Sequence, residues 1–312
     1  MCWHDFEAPQ SMAANNKTIY TALAANLLIA VIKFISGAAT NSSAMISEGV
    51  HSVVDTTNQF LLLFGIRRSK RSPDERRPFG YGKEVYFWSF IVSILIFGVG
   101  GCISFYQGVI HIKHPPALED PTWNYIVLAC SLVFEGTSLI VAIREFDKVR
   151  GEMSWWTAIR RSKDPASFIV LFEDSAAVAG LIIVGIMVYL GHHYNTPYLD
   201  GVASLIVGVI LTIVSVLLAR ESRSLLMGEG IAPATQQHIK HLVEKDPAIL
   251  KVQHIFSTYQ SPEEVMLLLM ASFRDELETE DINEAISRIR KTIRDAYPLI
   301  HFIIIQPEKA VV

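Results

Sequence analysis

The chain has 312 residues, of which 51% are hydrophobic and 19% charged, and 27 Lys and Arg stand against 31 Asp and Glu for a formal net charge of −4. That balance excludes a nucleic-acid partner, since phosphate neutralisation needs a basic excess or a basic face. The three cysteines, Cys2, Cys102 and Cys130, have no CxxC spacing, which excludes a disulfide framework and a thiolate metal site.

The segment 1–17 carries Asp5 and Glu7, lacks the apolar stretch of a secretory signal, and is expected to be a cytoplasmic N-terminal segment. Six apolar windows follow, each near the roughly 20 residues that about 30 Å of hydrocarbon requires. They run from Thr18 to Ala39, Ser43 to Ile66, Val85 to Ile110, Trp123 to Ile143, Ser167 to Leu190 and Tyr198 to Leu218. The expected architecture is an all-α six-helix transmembrane bundle over 18–219.

Lys and Arg flanking the spans set the orientation, because short basic loops stay on the cytoplasmic side. The loop after the second span holds Arg67, Arg68, Lys70, Arg71, Arg76, Arg77 and Lys83. The loop after the fourth holds Arg144, Lys148, Arg150, Arg160, Arg161 and Lys163, whereas the other loops offer only Lys113. Both termini are therefore expected in the cytoplasm, and the membrane is taken to be a bacterial inner membrane.

Residues 220–312 read as a small α+β domain. Ile239, Leu242 and Val243 mark a short helix; Ile249 to Tyr259 and Glu264 to Phe273 read as strands around the turn Ser261-Pro262. Ile282, Ile286, Ile289 and Ile293 recur at helical spacing, and His301 to Gln306 closes with a strand. The order αββαβ predicts a ferredoxin-like sheet with its helices on one face.

Ionisable residues inside the spans carry the chemistry, because each costs at least about 2.5 to 3.5 kcal/mol at the centre of a membrane helix. The second span reads Met45-Ile46-Ser47-Glu48-Gly49-Val50-His51-Ser52-Val53-Val54-Asp55, which puts His51 and Asp55 one turn apart on one helix face. Imidazole with carboxylate suits zinc, and a growing carboxylate share suits manganese, iron or cobalt. Two ligands do not complete a site, and the fifth span offers Asp174 at matching depth with Glu173 beside it. Glu135 on the fourth span reads as a proton relay, a helix-pairing contact or the lining of an aqueous cavity, and Glu48 as an accessory acid. Without an HExxH on any span, nothing points to an intramembrane metallohydrolase. A bundle whose polar residues only hold a membrane-anchored scaffold together is the rival reading.

The stretch Met45 to Asp55, followed by Arg77-Pro78-Phe79-Gly80-Tyr81-Gly82-Lys83-Glu84, resembles the cation diffusion facilitator family of metal–proton antiporters, from about Thr18 to Pro307. The resemblance implies efflux of a divalent cation, zinc first, with protons as the exchanged partner, no cofactor beyond the transported ion, and a homodimer in a lipid bilayer. It implies His51, Asp55 and Asp174 as metal ligands. The family's HxxxD on the fifth helix lacks its histidine here, since Val170 stands four residues before Asp174; the Glu173-Asp174 pair is similar to a variant branch, with Glu173 as substitute ligand. A second zinc site found in relatives before the third helix is matched by Arg77 and Tyr81, and their interfacial site in the tail is matched only by His254. Neither site is expected. A lysine matching Lys83 braces the tail in some relatives, and Glu229 is its expected acid here.

Overall fold

The computed structural model describes residues 16–115 and 120–308; expectations for residues before 16, Cys2 included, lie outside it. Its residues group into two units, Met1–Arg68 with Glu84–Arg223, and Ser69–Lys83 with Ser224–Val312.

The first unit is the six-helix transmembrane bundle. It consists of α1 (Asn16–Ala39), α2 (Ser43–Ser69), a third span made of α3 (Glu84–Leu95), a π-helical stretch (Ile96–Gly101) and α4 (Cys102–Lys113), then α5 (Thr122–Arg150), the short α6 (Trp155–Arg161), α7 (Pro165–His193) and α8 (Tyr198–Leu226). By length and composition, four of these spans are apolar enough to cross a membrane on hydropathy alone: Glu84–Lys113, Thr122–Lys148, Pro165–His193 and Tyr198–Leu226. α2 is long enough at 27 residues but is diluted by Ser47, Glu48, His51, Ser52, Asp55 and Asn58, all of them buried. These groups avoid lipid by facing other helices, as intramembrane polar residues do.

α7 starts where Asp164 accepts a hydrogen bond from Ala166 N at 3.1 Å and Pro165 takes the first helical position, whose missing N–H costs nothing. The start of α2 is capped from another helix. Asp200 on α8 accepts from Ser43 N at 2.6 Å, Ala44 N at 3.2 Å, Ser43 Oγ at 2.7 Å and Ser42 Oγ, and His111 Nδ1 of α4 stands 3.6 Å away. A carboxylate at a helix N-terminus satisfies donors that hydrocarbon would leave orphaned.

α4 and α8 meet backbone to backbone. A Cβ on Gly108 would lie 2.7 Å from Gly201 O, and one on Gly208 3.0 Å from Gly101 O, so only glycine permits this seam. Ser204 Oγ donates across it to Ser104 O at 2.8 Å and also bonds the hydroxyl of Ser47 on α2.

The second unit has the order expected from sequence: α9 (Pro233–Val243), β1 (Ile249–Ser261), β2 (Glu264–Phe273), α10 (Thr279–Ala296) and β3 (Ile300–Pro307). β2 lies between β1, antiparallel, and β3, parallel. Val265, Leu267, Leu269 and Ala271 alternate inward toward Ile239 and Val243 of α9 and Ala285, Ile289 and Ile293 of α10. The opposite face carries Phe256, Leu268 and Ile304 in one row and Met266 with Phe302 in the next; Phe256, Phe302 and Ile304 are exposed.

The segment Ser69–Lys83 packs on this sheet. Asp74 accepts from the amides of Arg76 and Arg77 at 3.0 and 2.8 Å and from the Tyr81 hydroxyl at 2.5 Å, and the Arg77 guanidinium stands 4.6 Å over the Tyr81 ring. Those hydrogen bonds hold the Asp74 carboxyl below its ordinary value and push the Tyr81 phenol up. Gly80 turns the chain at φ +83°, Phe79 meets Phe302 edge-on at 6.1 Å between centroids, and a Cβ on Gly82 would come 2.4 Å from Gln260 O. The Pro78-to-Lys83 motif is thus a docking strap.

Candidate metal site between the second and fifth spans

His51 and Asp55 share one face of α2, as the four-residue spacing predicts, with His51 Nε2 3.5 Å from Asp55 Oδ2. Both ring nitrogens of His51 and Asp55 Oδ1 are buried without a hydrogen-bond partner. Leaving such groups unsatisfied costs about 1–3 kcal/mol each, so a buried imidazole with both nitrogens unused is a site waiting for a partner.

Across from them, Glu173 and Asp174 sit on α7 in a helix of small residues, Ala176, Ala177 and Gly180, that lets other backbones approach. Asn58 Nδ2 donates to Glu173 Oε1 at 2.6 Å, and Ser138 Oγ of α5 donates to Asp174 Oδ2 at 2.8 Å. Asp55, Glu135, Glu173 and Asp174 line one cavity together with Asn26, Gln59, Ser138 and Val170. Val170 reaches the cavity but offers it only methyl groups. Among the described residues, no three His, Cys, Asp or Glu side chains close round a single point, so a full ligand sphere requires them to draw together.

Glu135 and Glu48 have a partner that the sequence reading passed over. Lys33 of α1, wholly buried, places its Nζ 3.3 Å from Glu48 Oε2 and 3.6 Å from Glu135 Oε1 and donates to Ser52 Oγ at 2.8 Å. The one signal for it was a lysine inside the apolar run of the first span, beside Phe34 and Ile35.

Lys83 Nζ would lie 3.9 Å from a Cβ on Gly228, beside the turn that carries Glu229, whose carboxylate accepts from Ser224 Oγ at 3.0 Å. The Glu229 carbonyl accepts from Tyr259 N at 3.1 Å. Burial first, and the Glu229 charge second, push the Tyr259 phenol up. His238 bonds the Tyr297 hydroxyl between α9 and the end of α10, which is a structural use of that histidine.

Residues 19–227 match the cation efflux transmembrane domain family. The chain is 35% identical over 295 residues to the mitochondrial proton-coupled zinc antiporter SLC30A9 of Xenopus laevis, covering 91% of this chain and 53% of that protein. It is 32% identical over 240 residues to metal tolerance protein C4 of Arabidopsis thaliana, covering 75% of this chain and 52% of that protein. With the manganese efflux protein MneP of Bacillus subtilis it shares 24% identity over 250 residues, 77% of this chain and 78% of that protein. The chain spans about half the length of the frog and plant proteins. Six spans, paired acids on the second and fifth of them, an αββαβ unit and a family match over two-thirds of the residues agree: this chain is an integral membrane protein of the cation diffusion facilitator family.

Proposed function

We propose that this chain exports a divalent metal ion, zinc in the first place, from the cytosol in exchange for protons, using His51, Asp55, Asp174 and Glu173 as ligands. One observation carries the reading: Asp55 of α2 and Glu173 and Asp174 of α7 line the same cavity, and the unbonded imidazole of His51 stands one turn from Asp55. Imidazole nitrogen with carboxylate oxygen suits zinc, and the frog zinc antiporter and the Bacillus manganese efflux protein bracket the choice between zinc and manganese.

The ligands must be deprotonated to hold the ion, so protons compete for the same groups and an inward proton gradient can expel the metal. Alternating access follows if α2 and α7 close round the ion from one side and part toward the other. Both termini are assigned to the cytosol by the basic loops after the second and fourth spans. The expectation of a bacterial inner membrane draws no support from the frog relative, whose name places it in mitochondria. A homodimer is assigned on the sheet face that the helices leave open, where Phe256, Ile304 and the part of Phe302 not met by Phe79 supply apolar surface.

The test is metal-dependent proton flux in proteoliposomes over zinc, manganese, iron, cobalt and cadmium, for wild type, His51→Ala and Asp174→Asn. Antiport of one preferred ion, abolished in both variants, is the expected result. Normal transport by Asp174→Asn would overturn the ligand assignment, and silence of the wild type toward every ion would favour the scaffold reading.

A further inference from the structure

Lys33 belongs to neither the proposed ligand set nor the lipid face. Its Nζ sits among three oxygens from two other helices: Ser52 Oγ at 2.8 Å and Glu48 Oε2 at 3.3 Å on α2, and Glu135 Oε1 at 3.6 Å on α5. Lys33, Ser52 and Glu48 are fully or almost fully buried. An ammonium is placed there at a desolvation cost of several kcal/mol, offset only by the carboxylates around it.

The surroundings are those of an ion site. Glu48 Oε1 is buried without a hydrogen-bond partner and aims at α7 where Gly180 leaves room for it; a Cβ there would come 2.8 Å from that oxygen. All donors are oxygens, the set preferred by hard cations such as manganese, magnesium and calcium. Glu135 faces both ways, toward Lys33 and into the cavity lined by Asp55, Glu173 and Asp174.

We propose that Glu48, Glu135 and Ser52 form a second cation site whose occupant is the chain's own Lys33 ammonium. Lys33 is then a specificity-determining residue: it keeps two acids away from free ions and leaves the α2–α7 cavity as the place where an ion enters. The inference rests on the transport reading only in taking that cavity as the other ion site.

The experiment counts manganese bound to the full chain in lipid nanodiscs, by electron paramagnetic resonance of free against bound ion. Lys33→Ala is expected to bind one ion per chain more than wild type, Lys33→Arg no more than wild type, and Lys33→Ala/Glu48→Gln/Glu135→Gln to lose the extra ion. A Lys33→Ala protein with wild-type elution and melting that binds the wild-type number overturns the proposal. If Lys33→Ala is not recovered folded, Lys33→Ala/Glu48→Gln tests the same charge balance: its recovery supports the proposal and its failure overturns it. Asp174→Asn separates the two readings. Loss of wild-type binding in that variant concerns the α2–α7 cavity, while the ion gained in Lys33→Ala/Asp174→Asn concerns the Lys33 site alone.

Discussion

Asn58 on α2 donates its side-chain amide to Glu173 Oε1 on α7 at 2.6 Å, with both groups buried. The bond joins the two helices that carry the proposed ligands and fixes which way the Glu173 carboxylate turns. Partners that orient a ligand typically contribute 10- to 100-fold in metal affinity. Asn58→Ala is therefore expected to weaken zinc binding by roughly that factor while leaving the elution profile unchanged. Calorimetric titration of the purified chain checks it, and an unaltered Kd counts against Glu173 as a ligand.

Asp200 replaces the missing first-turn acceptors of α2. Asp200→Ala orphans the amides of Ser43 and Ala44 and the hydroxyl of Ser43 together, for an expected loss of about 2 kcal/mol or more. Asp200→Asn, which keeps one carbonyl acceptor, should lose less. Thermal unfolding in detergent ranks the three proteins, and an unchanged midpoint for Asp200→Ala contradicts the capping role.

Gly82 has no room for a side chain against Gln260 O. Gly82→Ala should lift the strap from the sheet and expose the bonds after Lys70, Arg71 and Arg76 to trypsin. Faster cleavage there than in wild type, with transport measured alongside, is the expected result; equal cleavage would show that the strap is held elsewhere.

Tyr259 supplies a pH signature. Its phenol is held above its ordinary value by burial and by the Glu229 charge, so the stability it lends is present below about pH 10 and lost as pH rises through the elevated value. Absorbance at the tyrosinate band should show late-titrating phenols in wild type, Tyr81 among them, with Tyr259 as a further component. That component should be missing in Tyr259→Phe and come earlier in Glu229→Gln.

Much of this was legible in the sequence, for physical reasons. The spans are long apolar runs, and the strands of the second unit alternate inward and outward around the Ser261-Pro262 turn, so period and punctuation suffice. The face shared by His51 and Asp55 follows from helical spacing. Lys33 was not legible as a partner of Glu48 and Glu135, because one lysine in an apolar window says nothing about which helices surround it. The π-helical stretch at Ile96–Gly101 left only its glycines as a trace, and α6 is too short at seven residues for a periodic signal; Trp155 stacked on Phe146 places it instead. The cross-helix cap by Asp200 depends on contacts between distant residues, which no local pattern records.

The seam between α4 and α8 bears on how such a protein moves. Where Gly108 meets Gly201 and Gly101 meets Gly208, backbone lies against backbone and the Ser204 hydroxyl bonds Ser104 O across the seam, which leaves little room for one helix to slip past the other. α4 and α8 should accordingly travel as a single strut. Sliding is left to interfaces lined by side chains, such as that of α2 with α7, and the proposed ion site lies at that joint.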